Sequence, residues 1–94
     1  MNPSTLYLVQ STYHNTPNII DELRDIYQVD DQIIFMGESV AQLSAQVIQQ
    51  FESVSCLGIE KSLLDTDTLA QINVLDYDQF ADLVLTFNRC ISLK

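Results

Sequence analysis

Apolar positions fall into four compact runs separated by stretches of helical spacing. The runs are Leu6-Tyr7-Leu8-Val9, Ile33-Ile34-Phe35-Met36, Val54-Ser55-Cys56-Leu57-Gly58-Ile59 and Ile72-Asn73-Val74-Leu75. Each is continuous rather than alternating, the pattern of strands covered on both faces. After the first run, Thr16-Pro17 offers a helix cap and first-turn proline, and Ile19, Ile20, Leu23, Ile26 and Tyr27 line one helical face until Val29-Asp30-Asp31 breaks it. After the second, ended by Gly37, the stripe Val40, Leu43, Val47 and Phe51 predicts one long helix opening near Glu38 or Ser39. Residues Glu60 to Leu69 predict no more than a short helical turn around Leu63-Leu64.

The clearest unit begins at Ile72. Its apolar run closes on Asp76-Tyr77-Asp78, after which Phe80, Leu83, Val84 and Phe87 recur at i, i+3, i+4 and i+7. This predicts a strand feeding an amphipathic helix, with Asp78 accepting from the first free N–H groups and Asp78 and Asp82 at the positive end. Arg89 is placed at the negative end, and Ile91-Ser92-Leu93 forms a terminal strand or lies against the body.

Strands alternating with helices call for parallel pairing and right-handed crossovers. The expected fold is a Rossmann-like, three-layer α/β/α sandwich with four to five mainly parallel strands. A length of 94 residues and 47% apolar content fit one globular domain over residues 1–94. No run approaches the roughly 20 apolar residues needed to cross a bilayer, and Met1 to Thr5 lacks the basic start and apolar core of a signal peptide. A cytoplasmic location, away from membranes, is expected.

Charge narrows the function. With 4 basic and 13 acidic side chains the net charge is −9, which repels phosphate backbones, so direct nucleic-acid binding is not expected. The only glycines, Gly37 and Gly58, cannot assemble a dinucleotide fingerprint or a P-loop. No cofactor is expected.

In open α/β sheets ligands gather beyond the carboxyl ends of the strands. That rule selects Ser11 to Asn15, Gly37-Glu38-Ser39, Gly58 to Lys61, and Asp76-Tyr77-Asp78. His14 lies so close in sequence to Ser11 that an exposed loop histidine is the simpler reading than acid–base chemistry. Asp76 and Asp78 suit either a divalent cation or plain helix capping, and capping is the commoner use. Cys56 and Cys90 are too isolated for a zinc site or a CxxC pair. Cys56, inside an apolar strand with Lys61 as its nearby cation, reads as an inert core thiol or as a sulfur-handling residue. Cys90, beside Arg89, reads as an exposed thiol near the chain end. No catalytic residue and no metal site is assigned.

The segment Ile72-Asn73-Val74-Leu75-Asp76-Tyr77-Asp78-Gln79-Phe80 resembles the I-x-x-(I/L)-D-Y-x-x-F signature of the TusB/DsrH family. The opening Leu6-Tyr7-Leu8-Val9-Gln10-Ser11 and the passage into Gly37-Glu38-Ser39-Val40-Ala41 extend the resemblance along the chain. It implies a Rossmann-like subunit of a sulfur relay serving 2-thiolation of the tRNA wobble uridine, or of the related sulfur-oxidation complex. It also implies a heterohexamer with TusC-like and TusD-like homologous subunits, where the TusD-like chain carries the persulfide and the TusB-like chain is mainly structural.

Three departures qualify the resemblance. Some DsrH-type members carry a cysteine in the first helix, whereas this chain has none before Cys56 and Leu23 lies near the corresponding place; an Ala-Arg-Gly segment is replaced near Leu63-Leu64-Asp65; and the usual terminal tryptophan gives way to Ile91-Ser92-Leu93-Lys94. The first argues against a sulfur shuttle of the DsrH kind, and the others leave the partner surface open. Apolar residues outside the predicted core (Leu63, Leu64, Leu69, Ile91 and Leu93) are the interface candidates. The rival expectations are a carrier bearing persulfide on Cys56 or Cys90, and a small α/β regulatory module binding a cation through Asp76 and Asp78.

Overall fold

A computed structural model describes residues 4–94. Five strands form one all-parallel sheet in the order β4-β3-β2-β1-β5: β1 Thr5–Val9, β2 Gln32–Phe35, β3 Val54–Leu57, β4 Asn73–Leu75 and β5 Arg89–Leu93. The α/β class and parallel sheet are as expected, and Ile91-Ser92-Leu93 is indeed strand. Four α-helices lie between the strands: α1 Thr16–Ile26, α2 Ala45–Ile48, α3 Thr66–Leu69 and α4 Tyr77–Thr86. Two 3-10 helices, Gly37–Gln42 and Gly58–Leu63, leave β2 and β3 directly.

The strand order fixes the layers. Three connections step the same way across the sheet, and the fourth returns past three strands from β4 to β5. Right-handed crossovers then place α1, α2, α3 and both 3-10 helices on one face and α4 alone on the other. Side chains agree. Register aligns Leu93, Val9, Phe35, Cys56 and Val74 in one row across all five strands, with Ile91, Tyr7, Ile33 and Val54 in the next. Except for Val74, these rows pack with Ile19, Ile20, Leu23, Val40, Leu43, Ile48 and Phe51 in the main core. Burying a side chain of this size stabilises the fold by roughly 1.5–3 kcal/mol. On the opposite face Leu6 and Ile34 are fully buried, yet no residue of α4 is.

The predicted long helix after β2 is two short pieces. Gly37 takes a left-handed φ of 65°, and the Ser39 hydroxyl donates to the Met36 carbonyl at 2.7 Å, winding a tight 3-10 turn. Leu43 is extended, and Ser44 then caps α2 by accepting the Val47 N–H. The apolar stripe nonetheless faces inward, with Val40, Leu43 and Phe51 buried.

Two smaller expectations are corrected and a third is refined. Ile26 is exposed, and Tyr27 follows α1 rather than belonging to it. The short helical turn expected around Leu63-Leu64 is present as the end of the second 3-10 helix at Leu63, but Leu64 is extended and α3 follows as a separate turn. Arg89 opens β5 rather than capping α4. Among the described residues no helix is long and apolar enough to cross a membrane.

Candidate functional site

The connection leaving β3 goes to one face of the sheet and that leaving β4 to the other. Their carboxyl ends therefore bound the crevice where an open α/β sheet collects ligands. A cavity of about 320 Å³ lies there, lined by Leu57, Gly58, Ile59, Lys61, Leu75, Asp76 and Tyr77. It unites two of the four stretches that the strand-end rule selects in the sequence. Its walls are mainly apolar, with Lys61 and Asp76 as the charged groups, and none of the lining residues is arranged as a nucleophile with a base.

Asp76, not Asp78, caps α4. Its carboxylate accepts the Gln79 N–H at 2.7 Å, and the Gln79 side-chain oxygen accepts the Asp76 N–H at 3.0 Å, a reciprocal capping box. Asp78 lies exposed in the first turn. Among the described residues no three or more His, Cys, Asp or Glu side chains converge as a cation site.

The other two stretches meet over β1 and β2. The Tyr13 N–H donates to Glu38 Oε1 at 2.9 Å, and Gln42 Nε2 donates to the Tyr13 carbonyl at 2.9 Å. Thr16 donates its hydroxyl proton to the Thr12 carbonyl at 2.7 Å, which leaves Ser11 as the donor in their 2.8 Å contact. Ser11 is thus buried and committed to Thr16, while His14 is exposed against the Tyr13 ring edge. They form no Ser–His pair.

The two thiols occupy opposite faces of the sheet. Cys56 is fully buried in the main core, and burial, followed by the nearby Glu60 carboxylate, raises its pKa above the ordinary thiol value. The charge that reaches this thiol is Glu60, where the sequence suggests Lys61. Glu60 itself accepts the Gly37 N–H through Oε1 at 2.9 Å, while its buried Oε2 has no partner among the described residues. Neither effect favours the thiolate needed for sulfur transfer. Cys90 is exposed on β5, its sulfur 3.9 Å from the Val84 carbonyl of α4.

Of the five interface candidates, only Leu63 is exposed, at 51%. Leu64, Leu69, Ile91 and Leu93 are partly buried against the core. The structure adds apolar residues that periodicity does not single out: Ile59 at 66% exposure, Val74 at 39%, Tyr77 at 63% and Leu85 at 84%. Ile59 and Val74 sit within apolar runs that read as buried strands, and Leu85 directly follows the half-buried Leu83 and Val84, so hydrophobicity alone hides them.

No protein-family model matches this chain, and no curated protein sequence matches it.

Proposed function

We propose that this chain is a non-catalytic, TusB-like subunit of a cytoplasmic sulfur-relay complex. In this reading it assembles with TusC-like and TusD-like homologous subunits in a heterohexamer and supports persulfide transfer toward 2-thiolation of the tRNA wobble uridine. The observation that carries the non-catalytic part is Cys56, sealed in the core with its thiol held protonated by burial and by Glu60. The compact parallel α/β domain is compatible with the Rossmann-like subunit that the sequence resemblance implies. The resembling segment also has a local purpose here: Asp76 caps α4 and Phe80 turns partly inward. A net charge of −9, which repels a phosphate backbone, supports leaving any RNA contact to another subunit.

A second reading is favoured by the exposure of Cys90. There the Cys90 thiolate attacks the outer sulfur of a donor persulfide, forms the new S–S bond and releases the donor thiolate. The cation-binding module is a weaker rival, because the Asp76 carboxylate is already engaged by the Gln79 N–H.

Co-purification of the tagged chain from its native cell, with intact-mass analysis of every partner, tests the proposal. Two small homologous α/β chains, one heavier by sulfur, are the expected result. Recovery alone with added sulfur on Cys90 would transfer the carrier role to this chain. Recovery alone and unmodified would remove the relay assignment.

A further inference from the structure

The two edges of the sheet differ. β5 begins with Arg89 and is followed by Lys94, charges of the kind that discourage strand addition. β4, Asn73-Val74-Leu75, carries no charge and, among the described residues, pairs only with β3, which leaves its outer side open. Beside it the surface is unusually apolar. Val74 lies close to Gly58, Ile59 and Tyr77 line the same cavity as Leu57 and Leu75, and Leu63 ends the adjoining 3-10 helix. Four of the eight large hydrophobic residues found exposed (Ile59, Leu63, Val74 and Tyr77) belong to this corner, which is more than scattered exposure supplies.

We propose that the β4 edge and this apolar corner receive an extended segment of a partner protein, apolar at its centre and basic at its flanks. The strand's free backbone groups would supply affinity and register, and the corner would supply side-chain pockets, as in β-strand addition. The charge of the flanks follows from the rim. Asp65, Asp67, Asp76 and Asp78 are exposed on the segments bordering the corner, against the single cation Lys61. A second copy of this chain is disfavoured, because its own β4 edge is uncharged and the corner beside it carries a single cation, Lys61, so it has no basic flank to meet the acidic rim. The surface goes beyond the sulfur-relay reading and stands whichever pathway the partner serves.

The test is an NMR titration of the isotopically labelled full chain with a short peptide of central valines flanked by lysines, with the same valines flanked by glutamates as control. Expected are amide shifts confined to Gly58–Leu63 and Asn73–Tyr77 with the basic peptide alone, weakening as salt is raised. Val74→Ser combined with Tyr77→Ser should weaken binding about tenfold or more, as loss of a central apolar anchor does, while Leu85→Ser at the far end of α4 leaves it unchanged. Both replaced side chains are substantially exposed, so the double variant keeps the fold, and its unperturbed spectrum elsewhere verifies this. No shift at millimolar peptide, or shifts along β5 and α4 instead, would overturn the proposal. Concentration-dependent shifts in the same segments without peptide would overturn the assignment of the surface to a different protein.

Discussion

The Asp31 carboxylate accepts the Thr5 N–H at 2.8 Å through one oxygen and the Gln28 N–H at 3.0 Å through the other. It thereby ties the start of β1 to the turn that enters β2, and both Thr5 and Asp31 are buried. Removing the acceptor strands a buried donor, which is costlier than losing an average hydrogen bond. Asp31→Ala should destabilise the domain by about 1–3 kcal/mol, measured by urea unfolding. An unchanged midpoint would mean water replaces the carboxylate freely.

The capping box separates two neighbouring aspartates. Asp76→Ala should cost about 1 kcal/mol of stability, whereas Asp78→Ala, which touches only the helix dipole, should cost no more than about 0.5 kcal/mol. Thermal unfolding of the two variants side by side checks the order. Equal losses would contradict the assignment of Asp76 as the cap.

The thiols should react unequally. Brief alkylation at neutral pH followed by peptide mass analysis should label Cys90 and spare Cys56, because only Cys90 is exposed and Cys56 is held protonated. Labelling of Cys56 in the folded chain would remove the main support for a non-catalytic role.

Stability should fall in alkali. Burial is the leading cause that raises Cys56, Tyr7 and Tyr27 above their ordinary values. Their contribution is complete below the unfolded-state pKa values. It declines once the unfolded thiol ionises above about pH 8.5 and the unfolded phenols above about pH 10, while the folded groups still hold their protons. Tyr27 adds a specific reason, since its hydroxyl donates to the Asp31 carbonyl at 2.8 Å and ionisation would remove that bond, while the N–H groups of Glu52 and Ser53 that it accepts offset part of the rise. Urea midpoints between pH 7 and 11 should decline, and Cys56→Ala should flatten the first part of the decline.

Leu63 and Leu64 should behave differently despite being adjacent. Leu63→Ser removes an exposed side chain and should change stability by less than about 0.5 kcal/mol. Leu64→Ser withdraws a contact from the core and should cost roughly 1–3 kcal/mol. A test of assembly by sedimentation is therefore clean with Leu63→Ser alone.

Legibility in the sequence followed the physics of each segment. Continuous runs such as Ile33-Ile34-Phe35 revealed the strands because a sheet covered on both faces demands apolar residues on both. The stripe Val40, Leu43, Val47 and Phe51 identified inward-facing residues but not the break between them. A 3-10 turn followed by α-helix keeps nearly the same face, and the Ser44 cap is a small signal beside that periodicity. Counting the helix from the Phe80 periodicity points to Asp78 as the cap, although Asp76 and Gln79 stand at capping-box spacing, which marks a start two residues earlier. The crevice between β3 and β4 was legible only as two separate stretches, since their junction depends on strand order.

Pairing of Thr5 with Arg89 and of Val9 with Leu93 has a kinetic consequence. The strand that completes the sheet beside β1 is separated from it by nearly the whole domain, and the core rows through Tyr7 and Val9 gain Ile91 and Leu93 only when that distant closure occurs. Loop-closure entropy must be overcome before those contacts contribute, so high contact order sets a slow folding rate for so small a domain, in milliseconds or longer rather than microseconds. During synthesis β1 to β4 emerge first, leaving one flank of β1 without its neighbour until Arg89 to Leu93 arrive. Until then that flank of β1 presents unpaired N–H and C=O groups, the kind of open edge on which other chains can pair.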